Sequence, residues 1–392
     1  MTSFEIKLQK ATMHILYIAN SLDHLHLPIA RHLVKIVGAE NFRFAVTRPP
    51  YEERKHLGWN NDYREPWILR VGENEVDRKV FDHWWDESDV LICNERLFGR
   101  MQDRVRRNML TFYTSERWWK PPIGMARLLH PGFALMTAAF LRLASSASFH
   151  YLPVGLFAAD DIKRIAAFKS RMWQWGYFTE PPIPMQSSDV HTKGYAILWA
   201  GRMVSWKRVD TLIRAFSLLQ RGRSDAMLTL VGYGPEEERL KHLANKILTP
   251  NCYRFMPPLP MQQILELMKQ HHVYVLPSNA SEGWGAVVNE AMSAGCAVIA
   301  SFATGSARTM IRHGENGLLF APNDWQSLAD HLDLLGSNEE MRCKIAREGQ
   351  RTISECWSPH TAAERFYTIC DALMTNHPVP KYLSGPMASL EI

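Results

Sequence analysis

Two carboxylates stand close together in residues 281–295, which read SEGWGAVVNEAMSAG. Glu282 precedes a turn that contains two glycines, and Glu290 follows that turn. Glycines let a backbone approach a ligand closely, and carboxylates accept hydrogen bonds from hydroxyl groups. A ligand that is rich in hydroxyls and also carries phosphate, such as a nucleotide sugar, matches this combination. The alternative is an ordinary loop in which each glutamate caps a helix or faces solvent.

The flanking residues predict the elements that position these carboxylates. The apolar residues 273–276 predict a buried strand, and residues 286–294 predict a helix that Gly295 ends. Glu282 would then lie on the strand-to-helix loop, with Glu290 about one helical turn further on. In a parallel α/β sheet such a loop lies at the carboxyl edge of the strands, where ligands bind. The N–H groups at the start of the helix are available there to an anion.

Three further loops with glycine follow predicted strands and are candidates for binding a diphosphate. Arginine can bind phosphate bidentately, and lysine adds a point charge on a flexible stem. Glycine-rich turns can present backbone N–H groups to the same anion. The candidate residues in these loops are Arg202 and Lys207, Gly232 and Gly234, and Gly305 and Ser306. A plain surface turn is the alternative for each loop taken alone.

Strand and helix patterns alternate along the chain, which predicts parallel βαβ units. The proline-rich residues 180–185 (EPPIPM) predict a linker between two α/β domains. We therefore expect a first domain over residues 1–185 and a second over residues 186–358. A last helix is expected over residues 359–374, within a C-terminal segment 359–392. Residues 51–89 have weak periodicity, and the sequence assigns them to no element.

The composition is that of a globular protein with substantial cores, since 46% of residues are hydrophobic and 22% are charged. The six cysteines form no C-x-x-C pair, which favours free thiols in a reducing compartment over a disulfide or zinc framework. The polar residues 2–12 predict no signal peptide, and no apolar run reaches the roughly eighteen residues of a membrane span. We expect a cytoplasmic protein.

A local excess of positive charge lies between Arg96 and Arg127 and includes the pair Trp118 and Trp119. Basic residues mixed with tryptophan predict contact with an anionic partner, either lipid headgroups or phosphate-linked acceptors. The tryptophans favour the first of these, at the inner face of a membrane. Nucleic acid is not expected, because the excess is small and confined to one region. For residues 100–107 an ordinary solvated helix face is the alternative. Residues 131–147 predict a core helix more than a membrane-surface helix.

Taken in order, the motifs of the second half resemble those of retaining GT-B glycosyltransferases of the family-4 type, the glycosyl transferases group 1. The resemblance covers residues 195–325 and rests on GRMVSWK, VGYGP, PSNASEGWGAVVNEAMSAG and GENGLL. It implies two Rossmann-like α/β domains that face each other across a cleft. The first would be the acceptor side, the second would bind the nucleotide sugar, and the last helix would cross back to the first domain.

The resemblance also implies a role for each candidate residue. The donor diphosphate would be bound by Arg202, Lys207, Gly305 and Ser306, and the nucleotide by Glu290, Gly232 and Gly234. The sugar would be contacted by the backbone of Gly283, Trp284 and Gly285, and the catalytic carboxylates would be Glu282 and Glu116. No metal or cofactor is implied, and the sequence contains no D-x-D triplet of the kind that holds a divalent ion elsewhere.

Three departures from the family pattern concern the donor sugar and the acceptor. Residues 20–24 read NSLDH in place of a glycine pair, and Glu116 stands where a histidine is expected. The loop at Gly305 and Ser306 lacks the usual glutamate. Nucleotide binding is little affected by these changes.

The sequence therefore predicts a retaining, metal-independent glycosyltransferase. It would move a sugar from a nucleoside diphosphate donor to a glycan or lipid-linked acceptor, in cell-surface polysaccharide or glycolipid biosynthesis. The protein would be cytoplasmic or peripheral on the inner face of the membrane. A nucleotide-sugar epimerase or phosphorylase of the same fold is one alternative, and a catalytically silent subunit that binds a partner enzyme is another.

Overall fold

A computed structural model describes residues 13–49, 63–166, 168–180 and 194–390. These residues form two α/β domains, each built on a parallel six-stranded sheet. We call them the N-domain and the C-domain. Apart from Glu180, the predicted linker lies outside the described residues.

The N-domain sheet has the strand order β3-β2-β1-β4-β5-β6, so the first strand lies near its middle. Its strands are β1 Ile15–Ala19, β2 Phe42–Val46, β3 Ile68–Arg70, β4 Val90–Cys93, β5 Leu110–Ser115 and β6 Phe149–Pro153. The helices between and after them are α1 Leu27–Val37, α2 Glu75–Glu87, α3 Phe98–Arg106, α4 Pro131–Ala144 and α5 Leu156–Lys163. Every residue of β1 is buried, as expected for a central strand covered on both faces.

The C-domain repeats this plan with the order β12-β11-β10-β7-β8-β9. Its strands are β7 Tyr195–Ala200, β8 Ala226–Val231, β9 Tyr253–Met256, β10 Val273–Leu276, β11 Ala297–Ser301 and β12 Leu318–Phe320. Its helices are α6 Val209–Gly222, α7 Glu237–Ile247, α8 Met261–Lys269, α9 Val287–Ser293, α10 Gly305–Met310, α11 Trp325–Ser337 and α12 Glu339–Arg351. The loops after β7, β8, β10 and β11 therefore meet at one edge of the sheet, and these loops and the helices that follow them contain the predicted site residues of the C-domain.

The last helix, α13 Pro359–Met374, crosses back to the N-domain as predicted. Two residues fix where this helix begins. The hydroxyl of Ser358, the N-cap, accepts a hydrogen bond from the Thr361 N–H, and Pro359 takes the first helical position. Its buried face includes Phe366, whose ring lies 4.9 Å from the ring of Phe112 on β5. The helix thus joins the C-terminal end of the chain to the first sheet.

The structure adds elements that the sequence patterns did not predict. Residues 63–89, part of the unassigned segment, contain β3 and α2, while residues 51–62 lie outside the described part of the chain. The strands β3 and β12 have three residues each, too few for a periodic pattern. No helix among the described residues combines the length and apolar character needed to cross a bilayer.

Candidate functional site

Two cavities open on the cleft between the domains. The C-domain cavity, of about 370 Å³, is lined by the loops after β7, β8 and β10 and by His24 and Leu25 of the N-domain. The N-domain cavity, of about 550 Å³, is lined mainly by residues that follow β1, β4 and β5. Both volumes are within the range of small-molecule sites.

The C-domain cavity brings together four of the predicted ligand-binding side chains: Arg202, Lys207, Glu282 and Glu290. Lys207 Nζ lies 2.7 Å from Glu282 Oε2, and the two side chains are 19% and 13% exposed. One wall of the cavity therefore pairs a cation with a carboxylate, and Glu290 lies on α9 in the same lining. Positive charges can bind a diphosphate, and a carboxylate can accept hydrogen bonds from ribose hydroxyls. The cavity therefore has the groups that a nucleoside diphosphate requires.

Gly232 and Gly234 allow two loops of the C-domain to cross in contact. A Cβ at Gly232 would overlap the carbonyl oxygen of Gly201, and one at Gly234 would overlap that of Met203. Both glycines have positive φ, of 137° and 156°. Gly232 lines the C-domain cavity and Gly234 does not. Gly234 therefore acts here through loop packing, which holds the loop of Arg202 in place.

His24 of the N-domain reaches across the cleft to Glu290, with Nε2 3.2 Å from Oε1. The loop that carries His24 is fixed by Asp23, whose Oδ1 accepts hydrogen bonds from His26 Nδ1 at 2.8 Å and from the Leu25 N–H at 3.1 Å. Burial alone would raise the pKa of Asp23, but the charge and hydrogen bond of His26, together with His24, hold that pKa well below its ordinary value. The loop that departs from the family pattern thus carries an organised charge network.

Gly305 and Ser306 do not present their N–H groups to the cavity, which differs from the prediction. Gly305 N–H donates to Gly283 O at 3.0 Å, and Ser306 N–H donates to Trp284 O at 2.8 Å. The Ser306 hydroxyl donates to Gly285 O at 3.0 Å and is fully buried. These hydrogen bonds join the start of α10 to the turn 283–285, so the three donors are already used within the protein. Of the three turn residues, Gly285 alone lines the C-domain cavity.

Trp284 is buried between the domains, and its side chain lines neither cavity. Its indole N–H donates to Asn289 Oδ1 at 2.8 Å, and its ring lies 5.7 Å from that of Trp357. A Cβ at Gly176 of the N-domain would come within 2.6 Å of the Trp284 ring. Trp284 is therefore an anchor that fixes the turn relative to the N-domain.

A second inter-domain contact lies between α5 and α10. Arg308 Nη1 is 2.7 Å from Asp160 Oδ2, and the guanidinium lies 4.4 Å from the centre of the Phe157 ring. The Leu156 N–H donates to Thr309 Oγ1 at 3.0 Å. Together with Trp284, these contacts hold the domains close enough for His24 to reach Glu290.

Glu116 lines the N-domain cavity at the point where the two domains meet. Its Oε2 lies 2.6 Å from Lys120 Nζ, and its Oε1 accepts a hydrogen bond from the Tyr177 hydroxyl at 3.4 Å. Burial of that hydroxyl, together with the negative charge of Glu116, raises the pKa of Tyr177 well above its ordinary value. A Cβ at Gly283 would overlap the Glu116 carboxylate. Glu116 therefore contacts the turn 283–285, whose Gly285 lines the C-domain cavity.

The tryptophans predicted to face a membrane are instead part of the N-domain core. Trp118 and Trp119 are 3% and 2% exposed. Arg104 is buried as well, and its guanidinium donates to the carbonyl oxygens of Trp85 and Ser88. The interpretation of this stretch as a tryptophan-rich surface was wrong, because aromatic rings satisfy a core as readily as a membrane interface.

Sequence reasoning missed the network of Asp23, His24 and His26, and also Lys120 and Tyr177. A detectable signal existed for the first three: three ionisable residues directly follow the first strand, at the edge where ligands bind. No sequence signal pointed to Tyr177, because it belongs to no motif and reaches the N-domain cavity only through the fold of the chain after β6.

Residues 184–352 match the family model described as Glycosyl transferases group 1. An uncharacterized glycosyltransferase of Haemophilus influenzae is 31% identical over 204 residues, which are 50% of this chain and 57% of that protein. A D-inositol 3-phosphate glycosyltransferase of Thermomonospora curvata is 32% identical over 162 residues, which are 39% of this chain and 37% of that protein. The chain thus spans less than two thirds of the length of these relatives.

Two solved structures resemble nearly the whole chain. HepE of Anabaena in complex with UDP has a TM-score of 0.68 and 17% identity, with 93% of this chain and 100% of that one covered. WaaG, a glycosyltransferase involved in lipopolysaccharide biosynthesis, has a TM-score of 0.62 and 16% identity, with 89% of this chain and 98% of that one covered. Likeness at this identity concerns the fold, and the predicted GT-B architecture is confirmed.

Proposed function

We propose that this chain, whose residues 184–352 match the family model described as Glycosyl transferases group 1, is a retaining glycosyltransferase. It would transfer a sugar from a nucleoside diphosphate donor to a hydroxyl group of a glycan or lipid-linked acceptor, in cell-surface polysaccharide or glycolipid biosynthesis. The observation that carries the proposal is the C-domain cavity, where Arg202, Lys207, Glu282 and Glu290 converge. HepE was crystallised with UDP, which makes uridine diphosphate the first nucleotide to test.

In this proposal Arg202 and Lys207 bind the donor diphosphate and stabilise the negative charge that develops as it leaves. The acceptor hydroxyl forms a bond to the anomeric carbon on the same face from which the diphosphate departs. The hydroxyl proton passes to the departing phosphate oxygen, so no enzyme base and no metal ion is required. Glu282 and Glu116 stabilise the positive charge that the sugar ring acquires.

Glu290 accepts hydrogen bonds from the ribose hydroxyls of the donor. Its contact with His24 at 3.2 Å occupies one carboxylate oxygen in the structure. Donor binding therefore requires His24 to share Glu290 or to withdraw from it. The backbone of Gly283, Trp284 and Gly285 contacts the sugar, and Gly305 and Ser306 support that turn.

The test is a calorimetric titration of UDP into the wild-type protein and Arg202→Ala, followed by donor turnover assays with UDP-sugars. The loss of a charge-assisted hydrogen bond, about 1.5–3 kcal/mol, predicts at least tenfold weaker UDP binding for Arg202→Ala. Arg142→Ala on the exposed surface of α4 is the matched control. Unchanged UDP affinity in Arg202→Ala would refute the diphosphate assignment. Conversion of the donor with no acceptor present would identify the epimerase alternative.

Glu116 needs a separate test, because its contact with Lys120 also suits an ordinary structural pair. If Glu116 stabilises the transition state, Glu116→Gln lowers kcat by tenfold or more and leaves UDP affinity unchanged. Full turnover of Glu116→Gln would assign the side chain to structure alone. Nucleotide binding without sugar release from any donor would favour the silent-subunit alternative.

We place the proposed membrane contact on exposed apolar side chains near the N-domain cavity. The segment Gly124–Leu129 and helix α4 expose Leu129 and Leu135, which are 87% and 72% accessible, and Ile123 next to them is also exposed. Apolar residues grouped on a surface favour an interaction site. Co-sedimentation with anionic liposomes should decrease for Leu129→Ser and Leu135→Ser. Equal sedimentation of these variants and the wild type would exclude this surface.

A further inference from the structure

The N-domain cavity carries an excess of positive charge that its own carboxylates do not neutralise. Its lining includes two acidic side chains, each of which already has a basic partner. Asp23 is paired with His26 at 2.8 Å, and Glu116 with Lys120 at 2.6 Å. Arg117 in the same lining is paired with Asp161.

Two further arginines of the lining, Arg96 and Arg127, have no carboxylate within 4 Å among the described residues. Burial raises the pKa of Tyr113, and the nearby positive charge of Arg96 partly offsets that rise, while Arg127 Nη1 donates to Trp118 O at 3.3 Å. Neither neighbour is a carboxylate, so among the described residues two arginine charges line the cavity without an ion-pair partner. Guanidinium groups bind oxyanions through paired N–H donors.

A buried hydroxyl in the same wall also lacks a partner. Thr114 is 5% exposed, and its Oγ1 makes no hydrogen bond within the described part of the chain. A buried hydroxyl without a partner costs free energy. Thr114 is the penultimate residue of β5, and Glu116 directly follows the strand. Thr114 and the two arginines therefore line one cavity.

We propose that this cavity binds an acceptor that carries a phosphate monoester, with Arg96 and Arg127 holding the phosphate. A phosphate monoester carries a charge of about −1.5 to −2 at pH 7, which matches two guanidinium groups better than the single charge of a carboxylate. The inference rests on the proposed function, since it names the chemical class of the acceptor. A hydroxyl of the bound acceptor beside Glu116 would lie next to Gly283, on the turn whose Gly285 lines the C-domain cavity.

The first experiment measures the phosphate site without requiring turnover. Methyl phosphate is titrated calorimetrically into the protein saturated with UDP, so that the donor diphosphate site is occupied. We expect binding that weakens about tenfold or more in Arg96→Gln and in Arg127→Gln. Arg142→Gln, an exposed arginine of α4 outside both linings, should bind like the wild type. Acetate should bind more weakly than methyl phosphate.

Several outcomes would overturn the inference. They are the absence of methyl phosphate binding to the UDP-saturated protein, equal effects of all three substitutions, and acetate binding as tightly as methyl phosphate. UDP affinity, measured for every variant, separates this failure from failure of the proposed function. If UDP binds normally and phosphate does not, only the acceptor inference is lost.

A second experiment distinguishes the two sources of such a phosphate. Glycerol 3-phosphate represents a soluble ester, and phosphatidylcholine vesicles that contain phosphatidic acid represent a lipid headgroup. Binding of glycerol 3-phosphate that depends on Arg96 and Arg127 assigns the site to soluble phosphorylated acceptors. Binding to the vesicles alone, with the same dependence, assigns it to lipid-linked ones. Binding of neither, or binding that Arg96→Gln and Arg127→Gln leave unchanged, refutes the proposal.

Discussion

Replacing Lys207 with methionine separates two roles of one side chain. Lys207 lies 2.7 Å from Glu282, and both side chains are mostly buried, with 19% and 13% of their surfaces exposed. Lys207→Met keeps most of the side-chain volume but leaves the Glu282 carboxylate without its cation. We expect the free energy of unfolding to fall by about 1–3 kcal/mol, the cost of an unsatisfied and partly buried polar group.

The effect on the nucleotide should be larger than the loss of one hydrogen bond. Lys207→Met removes an attraction to the diphosphate, which accounts for about tenfold in affinity. It also leaves the charge of Glu282 facing that diphosphate without a counter-ion, which adds repulsion. We therefore expect UDP to bind about 100-fold more weakly. In Lys207→Met/Glu282→Gln the repulsion is removed, so the loss of affinity should shrink to about tenfold and the stability should recover.

UDP titration calorimetry and urea denaturation of the wild type, both single variants and the double variant measure these quantities. Glu282→Gln alone should bind UDP at least as tightly as the wild type, because it frees Lys207 for the diphosphate. The reasoning is refuted if Lys207→Met binds UDP normally. It is also refuted if Glu282→Gln weakens UDP binding as much as Lys207→Met does, because Glu282 would then itself be a nucleotide ligand.

Three further predictions concern the framework of the site. Trp284→Ala should lower the free energy of unfolding by about 3–5 kcal/mol in urea denaturation, because it empties the space between the domains; a loss below 1 kcal/mol would mean that Trp284 does not anchor the turn. Gly232→Ala should lower the free energy of unfolding by about 2–4 kcal/mol, because the added Cβ strains the backbone and overlaps Gly201 O. Gly222→Ala is the control, since the space around its Cβ is open and its free energy of unfolding should change little. Similar losses for both variants would contradict the crossing of the two loops. Burial lowers the pKa of His150 to about 3 and that of His271 to about 4, so between pH 6.5 and 4 only the unfolded chain takes up these protons. The free energy of unfolding should therefore fall as the pH falls through this window, by up to about 1.4 kcal/mol per pH unit for each histidine. In urea titrations at several pH values, His150→Gln or His271→Gln should reduce that slope. An unchanged slope would contradict the lowered pKa of these histidines.

Local sequence pattern was sufficient to predict the strands, helices and cavity-lining side chains of the C-domain. Each of its motifs combines a strand, a turn and a helix that are close together in the sequence. The prediction placed Arg202, Lys207 and Glu282 on loops at one sheet edge and Glu290 one helical turn further on, and the structure brings all four to one cavity. Parallel strands make this inference possible, since their carboxyl ends all lie at the same edge.

Pattern alone gave a wrong account of Trp118 and Trp119. Tryptophan beside arginine has the same composition at a membrane interface and in a core, and the sequence contains no measure of burial. The structure decides between them, because α3 and α4 pack over β5 and enclose both rings with Phe98, Phe133 and Phe140. Exposed apolar side chains are found instead at Ile123, Leu129 and Leu135.

The sequence by itself determined the two-domain α/β architecture and the residues that line the C-domain cavity around Arg202 and Glu282, because those features depend on residues that are neighbours along the chain. Tertiary structure alone decided that His24 meets Glu290, that Glu116 touches Gly283, and that Gly305 and Ser306 donate to the turn rather than to a ligand. These contacts join residues far apart in the chain, most of them in different domains. No spacing within the sequence encodes them, since they depend on how two independently patterned sheets are oriented toward each other.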